Sequence, residues 1–476
     1  MNSGIALAST ATQARIDDCT VRDCTGAAIT GVPMNSLPHI TRLKASGNAV
    51  NQVQITAATL TSDLYLDGNS GLDGAIVMYT TLSVPVGRKL TLGPGAVVKM
   101  FTSQRIDVLG ALDVVATREK PAVVTAHTDD SVGGDSEGAG SPPAPGQWIW
   151  LLLDANAAPS RIENLLLRYG GGGGWSALRA NSPLAEYRHV RVERAAFTGF
   201  ELAAAARAEF LTAWSCGATG IALSGGNFGL LRATAANCGT GIARTGAYSG
   251  SIRSSIAWGN TSANFAGLLP NQASYCNAIP GGANFNLDAN PQFVSLLNGD
   301  LTLLASSPCI DAGDPSAPQD ADCTRADMDS APSNAAPVLY CTGKTNSFGC
   351  TPFLGYSGFA RGTAADPLVV RCFNVLSNKQ GLCYYGFSGR ANAPFQGGLK
   401  CVADPVRRTT LQNSGGLGSF NNCGGVLALD FTALMNSGVD PLLTPGASVN
   451  VQSWRRDPGS PSKNGLSNAL EFTRCN

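Results

Sequence analysis

Apolar and polar residues alternate in short runs along most of the chain, and the runs return at a fixed interval. Ala195 to Leu202, Cys216 to Leu223 and Cys238 to Ala243 are variants of one phrase. In it Gly199, Gly220 and Gly241 fall 21 residues apart, as do Phe200, Ile221 and Ile242. Further alternating segments accompany each copy: His189 to Val192, Phe210 to Trp214, and Leu230 to Thr234. A period of two places every second side chain on the same face of a strand. No stretch sustains a 3.6-residue apolar stripe, so helical repeats fit poorly. Repeats of this length with strand chemistry build solenoids. The pattern predicts an all-β chain: a right-handed parallel β-helix over residues 1–314, with two or three strands of about 3–5 residues per winding. Phe200, Ile221 and Ile242 are expected to stack in its interior. The repeated glycine is expected to supply a corner conformation that a side chain would forbid. Ser215-Cys216 and Asn237-Cys238 are expected at one corner of consecutive windings. The same phrase runs from Ile16 to Ile29, so the solenoid is expected to be under way near the first residue. Met1 to Ala14 has no basic start and no long apolar core, which reads as a mature or truncated chain.

Several stretches resemble the pectate-lyase-like right-handed β-helix superfamily, and more narrowly large secreted β-helix proteins of environmental bacteria. They are Leu82 to Lys99, Ile106 to Leu112, Asp129 to Asp135, Asn290 to Val294, Gly299 to Leu303 and Ser307 to Asp314. The last three resemble the segment that closes such helices. The resemblance implies the fold over roughly the first two thirds of the chain. It implies little about activity, because one scaffold hosts lyases, hydrolases and adhesins.

Composition narrows the setting. Charged residues make up 14% of the 476, against about 25% in ordinary globular domains, and there are 56 glycines. A formal net charge of zero gives no reason to expect nucleic acid or an anionic membrane as partner. No apolar run approaches the roughly 18 residues of a membrane span. Fourteen cysteines point to an oxidising, extracellular or cell-surface destination. Charge is uneven: residues 1–335 carry 21 basic and 27 acidic side chains, residues 336–476 carry 12 and 6. The composition shifts at the same place. A Pro/Ala/Asp-rich stretch over 315–337 reads as a linker, and 338–476 reads as a cysteine-bridged antiparallel β-sandwich.

In that tail Val369 to Val375 and Leu382 to Tyr385 read as a hairpin, with further strands at Val449 to Trp454 and Ala469 to Thr473. The bridges expected are Cys341–Cys350, Cys372–Cys383 across the hairpin and Cys401–Cys423, with Cys475 left to pair with Cys323. Spacing alone does not fix this connectivity. Ser453 to Pro458, Leu466 to Phe472, Cys401 to Arg408 and Gly386 to Arg390 resemble a C-terminal domain found behind diverse repeats in secreted bacterial proteins. That position implies surface display, secretion or sugar binding.

Candidate chemistry is sparse. Asp130, Asp135 and Glu137, in the glycine-rich loop Asp129 to Gly140, resemble a calcium loop, although Ala139 stands where a last Asp would be expected. A second acidic group, Asp311, Asp314, Asp320, Asp322, Asp327 and Asp329, is a candidate calcium brace against its reading as a solvated linker. Arg168, Arg188, Arg191 and Arg194 with Glu163, Glu186, Glu193 and Glu201 read as a salt-bridged outer face. There are three histidines, His39, His127 and His189, none in a nucleophile motif or metal-ligand spacing. Gly170 to Gly174 reads as a flexible corner. Trp175 beside it, and Tyr169, are the candidate ligand contacts. The sequence points to a secreted or surface-bound, non-catalytic module facing extracellular polysaccharide or a cell-surface glycan. A polysaccharide lyase or glycoside hydrolase, and a structural spacer, are the alternatives.

Overall fold

The computed structural model describes residues 3–8, 14–41, 43–72, 75–137, 140–279, 283–330, 337–361, 366–416 and 423–475. The chain is all-β with 4% helix. It divides into two compact units: Met1–Ser316 with Asp327–Ala331, and Ala317–Ala326 with Pro332–Asn476.

The first unit is a parallel β-helix of about eleven windings. Its strands form three faces. The third face shows the interior most directly, because in-register pairing sets Leu82, Ile106, Leu151, Leu178, Phe200, Ile221, Ile242 and Phe265 one above another. Phe200, Ile221 and Ile242 are fully buried, as the 21-residue spacing requires. The second face carries Val97–Met100, Ala122–Ala126, the ends of Ser160–Arg168 and Ala185–Glu193, then Thr212–Trp214, Thr234–Ala236 and Ile256–Trp258. The two nine-residue strands also supply the first face, by bending in the middle.

The repeated glycines do a different job from the one expected. Gly199, Gly220 and Gly241 do not have positive φ. A Cβ on them would stand 2.6, 2.9 and 2.5 Å from a carbonyl oxygen of the following winding. They are needed because backbones approach closely, not because a corner is left-handed. The left-handed corners belong to residues with side chains. One row is Asn164, His189, Phe210, Arg232 and Ser254, and a second is Tyr169, Arg194, Ser215 and Asn237, all with φ between 50° and 60°. Each such residue costs on the order of 1–2 kcal/mol in isolation. Hydrogen bonds to the next winding hold them, as in Arg194 N–H to Trp214 O and Ser215 N–H to Ala236 O.

The corner cysteines are explained by the same stacking. The Cys216 N–H donates to Cys238 Sγ at 3.4 Å, and the Cys238 N–H donates to Asn260 Oδ1 at 2.9 Å. Cys24 and Cys276 donate in the same manner to Asn48 and Asn286. A cysteine sulfur in one winding and an asparagine oxygen in the other three thus accept from a backbone N–H that would otherwise go unmet.

Two excursions interrupt the regular winding. Ile106 pairs with Leu151, so that winding is about twice the usual length and carries an insertion around residues 127–147. At the far end, the hairpin Phe293–Ser295/Asp300–Leu303 folds back, and Leu303, Cys309 and Met328 close over Ile256. The stretch read as a linker is therefore shared. Met328 and Ser330 belong to the helix, with Ser330 hydrogen-bonded to Thr212 and Thr234. Residues 317–326 belong to the second unit, and 331–336 lie outside the described residues.

The second unit has a sheet built on Val338–Tyr340, Asn464–Thr473, Ser448–Arg456, Gln380–Gly386 and Arg407–Arg408. Its other main sheet is Phe353–Ser357, Val369–Val375 and Gly425–Asp430. Cys372 and Cys383 lie on strands of different sheets, so the expected hairpin is not formed. Both are free thiols in the apolar core, where burial pushes that of Cys383 up to about 12. The other expected pairs exchange partners. The bridges are Cys341–Cys401 and Cys350–Cys423, which join segments 60 and 73 residues apart. Spacing favoured near neighbours; the sheet order brings distant ones together. Cys323–Cys475 forms as expected.

Candidate binding faces of the β-helix

The insertion packs on the second face, where Val132 meets Val97 and Val123 and a lysine is buried beneath it. Lys99 points outward from its strand yet is completely covered, and its Nζ donates to Gly134 O at 2.5 Å. Asp130 Oδ1 lies 4.0 Å from the same nitrogen. Burial lowers the Lys99 pKa against the pull of Asp130 and Asp129. His127 Nε2 lies 3.4 Å from Glu137 Oε2, and Asp135 Oδ1 accepts from the Glu137 N–H. Burial also lowers the His127 pKa, opposed by Glu137. Asp129 accepts from Thr125 and Ser131. These bonds, with Arg168 nearby, outweigh its desolvation and hold its carboxyl below the usual range. The loop carboxylates thus turn to protein partners: Lys99 and Arg168, the His127 ring, hydroxyls and backbone N–H groups. Among the described residues no three His, Cys, Asp or Glu side chains converge as a metal would require. Gly138 and Ala139, part of the expected calcium loop, lie outside the described residues.

Next to the insertion a groove of about 710 Å³ opens on the same face. Its floor comes from consecutive windings: Arg168 and Tyr169, then Arg191, Glu193 and Arg194, then Trp214. Register explains the grouping, since Arg168 pairs with Glu193 and Glu193 with Trp214. Glu193 lies 3.2 Å from Arg168 Nε as an ion pair and accepts from Arg191 Nε at 2.5 Å. Arg194 donates to the Tyr169 hydroxyl at 2.8 Å and lies over the Tyr169 and Trp214 rings. The hairpin forms the far wall. Gly299 accepts from Arg191 at 2.6 Å, a Cβ on it would strike the Trp214 ring at 2.9 Å, and Trp214 Nε1 donates to Leu296 O. Tyr169 therefore lines the groove but is 5% exposed, and it serves to position Arg194.

Trp175 lies elsewhere. It is 43% exposed and meets Trp150 edge-on, with ring centroids 5.0 Å apart. The Arg179 guanidinium stands 4.8 Å from the Trp175 ring and 5.4 Å from that of Trp150. Arg179 is held by Glu201 at 3.2 Å, and Trp150 Nε1 donates to Asp107 at 2.8 Å. These residues lie on or beside the third-face strands. The start of the glycine run is packed, since a Cβ at Gly170 or Gly172 would strike Trp148 or Gly146, whereas Gly174, beside Trp175, has positive φ and open space around it. The structure therefore separates the two candidate ligand contacts.

The second acidic group is also divided. Asp314 pairs with Arg253 at 3.0 Å in the first unit, and the Asp311 N–H donates to Asp327. Asp320 and Asp322 belong to the second unit, where Asp322 caps Thr324. The outer-face arginines and glutamates mostly pair as expected. Two depart from that reading: Arg188 is buried, 3.7 Å from Glu209 and close to the Phe210 ring, and Arg194 turns to the Tyr169 hydroxyl and the Trp214 ring. Sequence reasoning missed the groove because its walls come from an insertion and a distant hairpin. The unequal spacing of the repeat around the insertion was the available signal. No protein-family model and no curated protein matches the chain.

Proposed function

We propose that this is a secreted or cell-surface, non-catalytic module of the pectate-lyase-like β-helix kind whose helix faces carbohydrate. The observation that carries the reading is Trp175, a large ring left open to solvent beside a second indole and an arginine on a solenoid face. An indole offers a wide apolar surface with a polar tip, which suits the faces of sugar rings. Glu201, Asp107 and Arg179 surround it with acceptors and donors for hydroxyls. Three disulfides support an oxidising destination. Binding is favoured over chemistry because Glu193 and Asp129, at the groove, are already committed to arginine and hydroxyl partners. The test is binding of the full chain to a panel of soluble and immobilised glycans, with Trp175→Ala as comparison. At least about a tenfold loss of affinity at unchanged melting temperature is expected. Silence across the panel, or appearance of cleaved or unsaturated products, would overturn the reading.

A further inference from the structure

The groove on the second face is a second, separate site, and we infer that it takes a neutral, hydroxyl-rich saccharide segment laid across the helix axis. The inference rests on the carbohydrate reading above but uses none of the Trp175 residues.

The direction follows from the walls. The insertion covers the face at Lys99 and at Thr125 on the next winding, and the hairpin covers it at Trp214. Between them the floor left open is that of two windings, those of Arg168 and of Arg191 to Arg194. Adjacent strands lie about 4.8 Å apart, so the open floor is about 10 Å along the axis. A polymer running along the axis would meet a wall at either end. A segment running parallel to the strands would meet neither.

The ligand class follows from the charges. The lining holds Arg168, Arg191 and Arg194 against Asp129, Asp130, Glu193 and Asp300. Arg168 and Arg191 are already paired, Arg191 with Glu193 and Arg168 with both Glu193 and Asp129. A polyanion entering this groove would lose hydration and find no surplus of positive charge to replace it. Polar capacity remains in three places. Arg194 has five N–H donors and directs one to Tyr169. Asp300 accepts from the Thr302 N–H and retains acceptor sites. Among the described residues Asp130 meets the Lys99 ammonium at 4.0 Å and its side chain stays 41% exposed. A guanidinium beside carboxylates matches neighbouring hydroxyls, which accept from one and donate to the other.

Binding of neutral and uronate-containing oligosaccharides by the full chain tests this. The variants are Asp300→Ala, on the exposed hairpin, and Arg194→Gln, with Trp175→Ala as the third. We expect a neutral oligosaccharide to bind with an affinity unchanged within twofold between about 0.05 and about 0.5 M salt, because no net charge is being screened. Asp300→Ala and Arg194→Gln each weaken it about tenfold, and Trp175→Ala leaves this phase intact. The Asp300 variant keeps the test decisive should Arg194→Gln lower the melting temperature. The proposal fails if the groove variants bind as the parent does while Trp175→Ala abolishes binding; that outcome keeps the wider carbohydrate reading. It fails equally if uronate chains bind best and lose affinity steeply with salt. Absence of binding to every glycan overturns both.

Discussion

The β-helix and the C-terminal unit use cysteine in opposite ways. In the helix Cys216, Cys238 and Cys276 are buried thiols that sit at the corner of a winding. In the C-terminal unit six of eight cysteines are bridged. A solenoid gains stability from each added winding, because every rung buries its neighbours. A small pair of sheets has less core to draw on and is stapled instead. The lesson is that cysteine count alone does not identify a disulfide framework. The local architecture decides which thiols bond to each other and which accept from backbone.

Reduction should separate the two regions most sharply. With a strong reductant the C-terminal unit loses about 2–5 kcal/mol per bridge and melts early, while the helix transition stays in place. Calorimetry with and without reductant reads this, and a shift of both transitions would contradict it. Phe200→Ala should do the reverse. It removes a fully buried ring from the third-face ladder and costs about 3–5 kcal/mol in the helix transition only. Gly220→Ala is a smaller probe of the same stack. Its methyl would stand 2.9 Å from Gly241 O, so a loss of about 1–3 kcal/mol is expected, whereas a need only for unusual dihedrals would not produce this clash.

The smallest effect is pH-dependent. Burial and the positive charges of Arg188, Arg118, Arg232 and Arg207 hold the His189 pKa well below its ordinary 6.5. The unfolded chain then binds a proton that the folded chain refuses. Stability falls as pH drops through about 6.5 towards the folded value, by at most about 1.4 kcal/mol per pH unit. His189→Gln should reduce that slope in the helix transition between pH 7 and pH 5. His127 contributes in the same direction and is left as the remainder.

The helix was legible because its cause is local and repeated. Phe200, Ile221 and Ile242 lie one winding apart in sequence and one strand apart in space. The role of Gly220 was less legible, since what it avoids is a carbonyl 21 residues away. The tail was read as strands correctly at Ser448–Arg456 and Asn464–Thr473. Its pairing was not, because Cys341 meets Cys401 only once two sheets are assembled. The exposure of Trp175 was legible from the glycines beside it. Arg194 as a groove residue was not, since it takes the Tyr169 hydroxyl, the Trp214 ring and a wall carrying Asp300 to show what it faces.

The insertion has one more consequence. The ladder passes from Ile106 straight to Leu151 as though nothing intervened. The strand register therefore does not limit the length of the insertion, and lengthening a tethered segment raises its closure cost only logarithmically. The windings can thus remain constant while the rim of the groove is rewritten over about twenty residues, with the rest of the helix left alone.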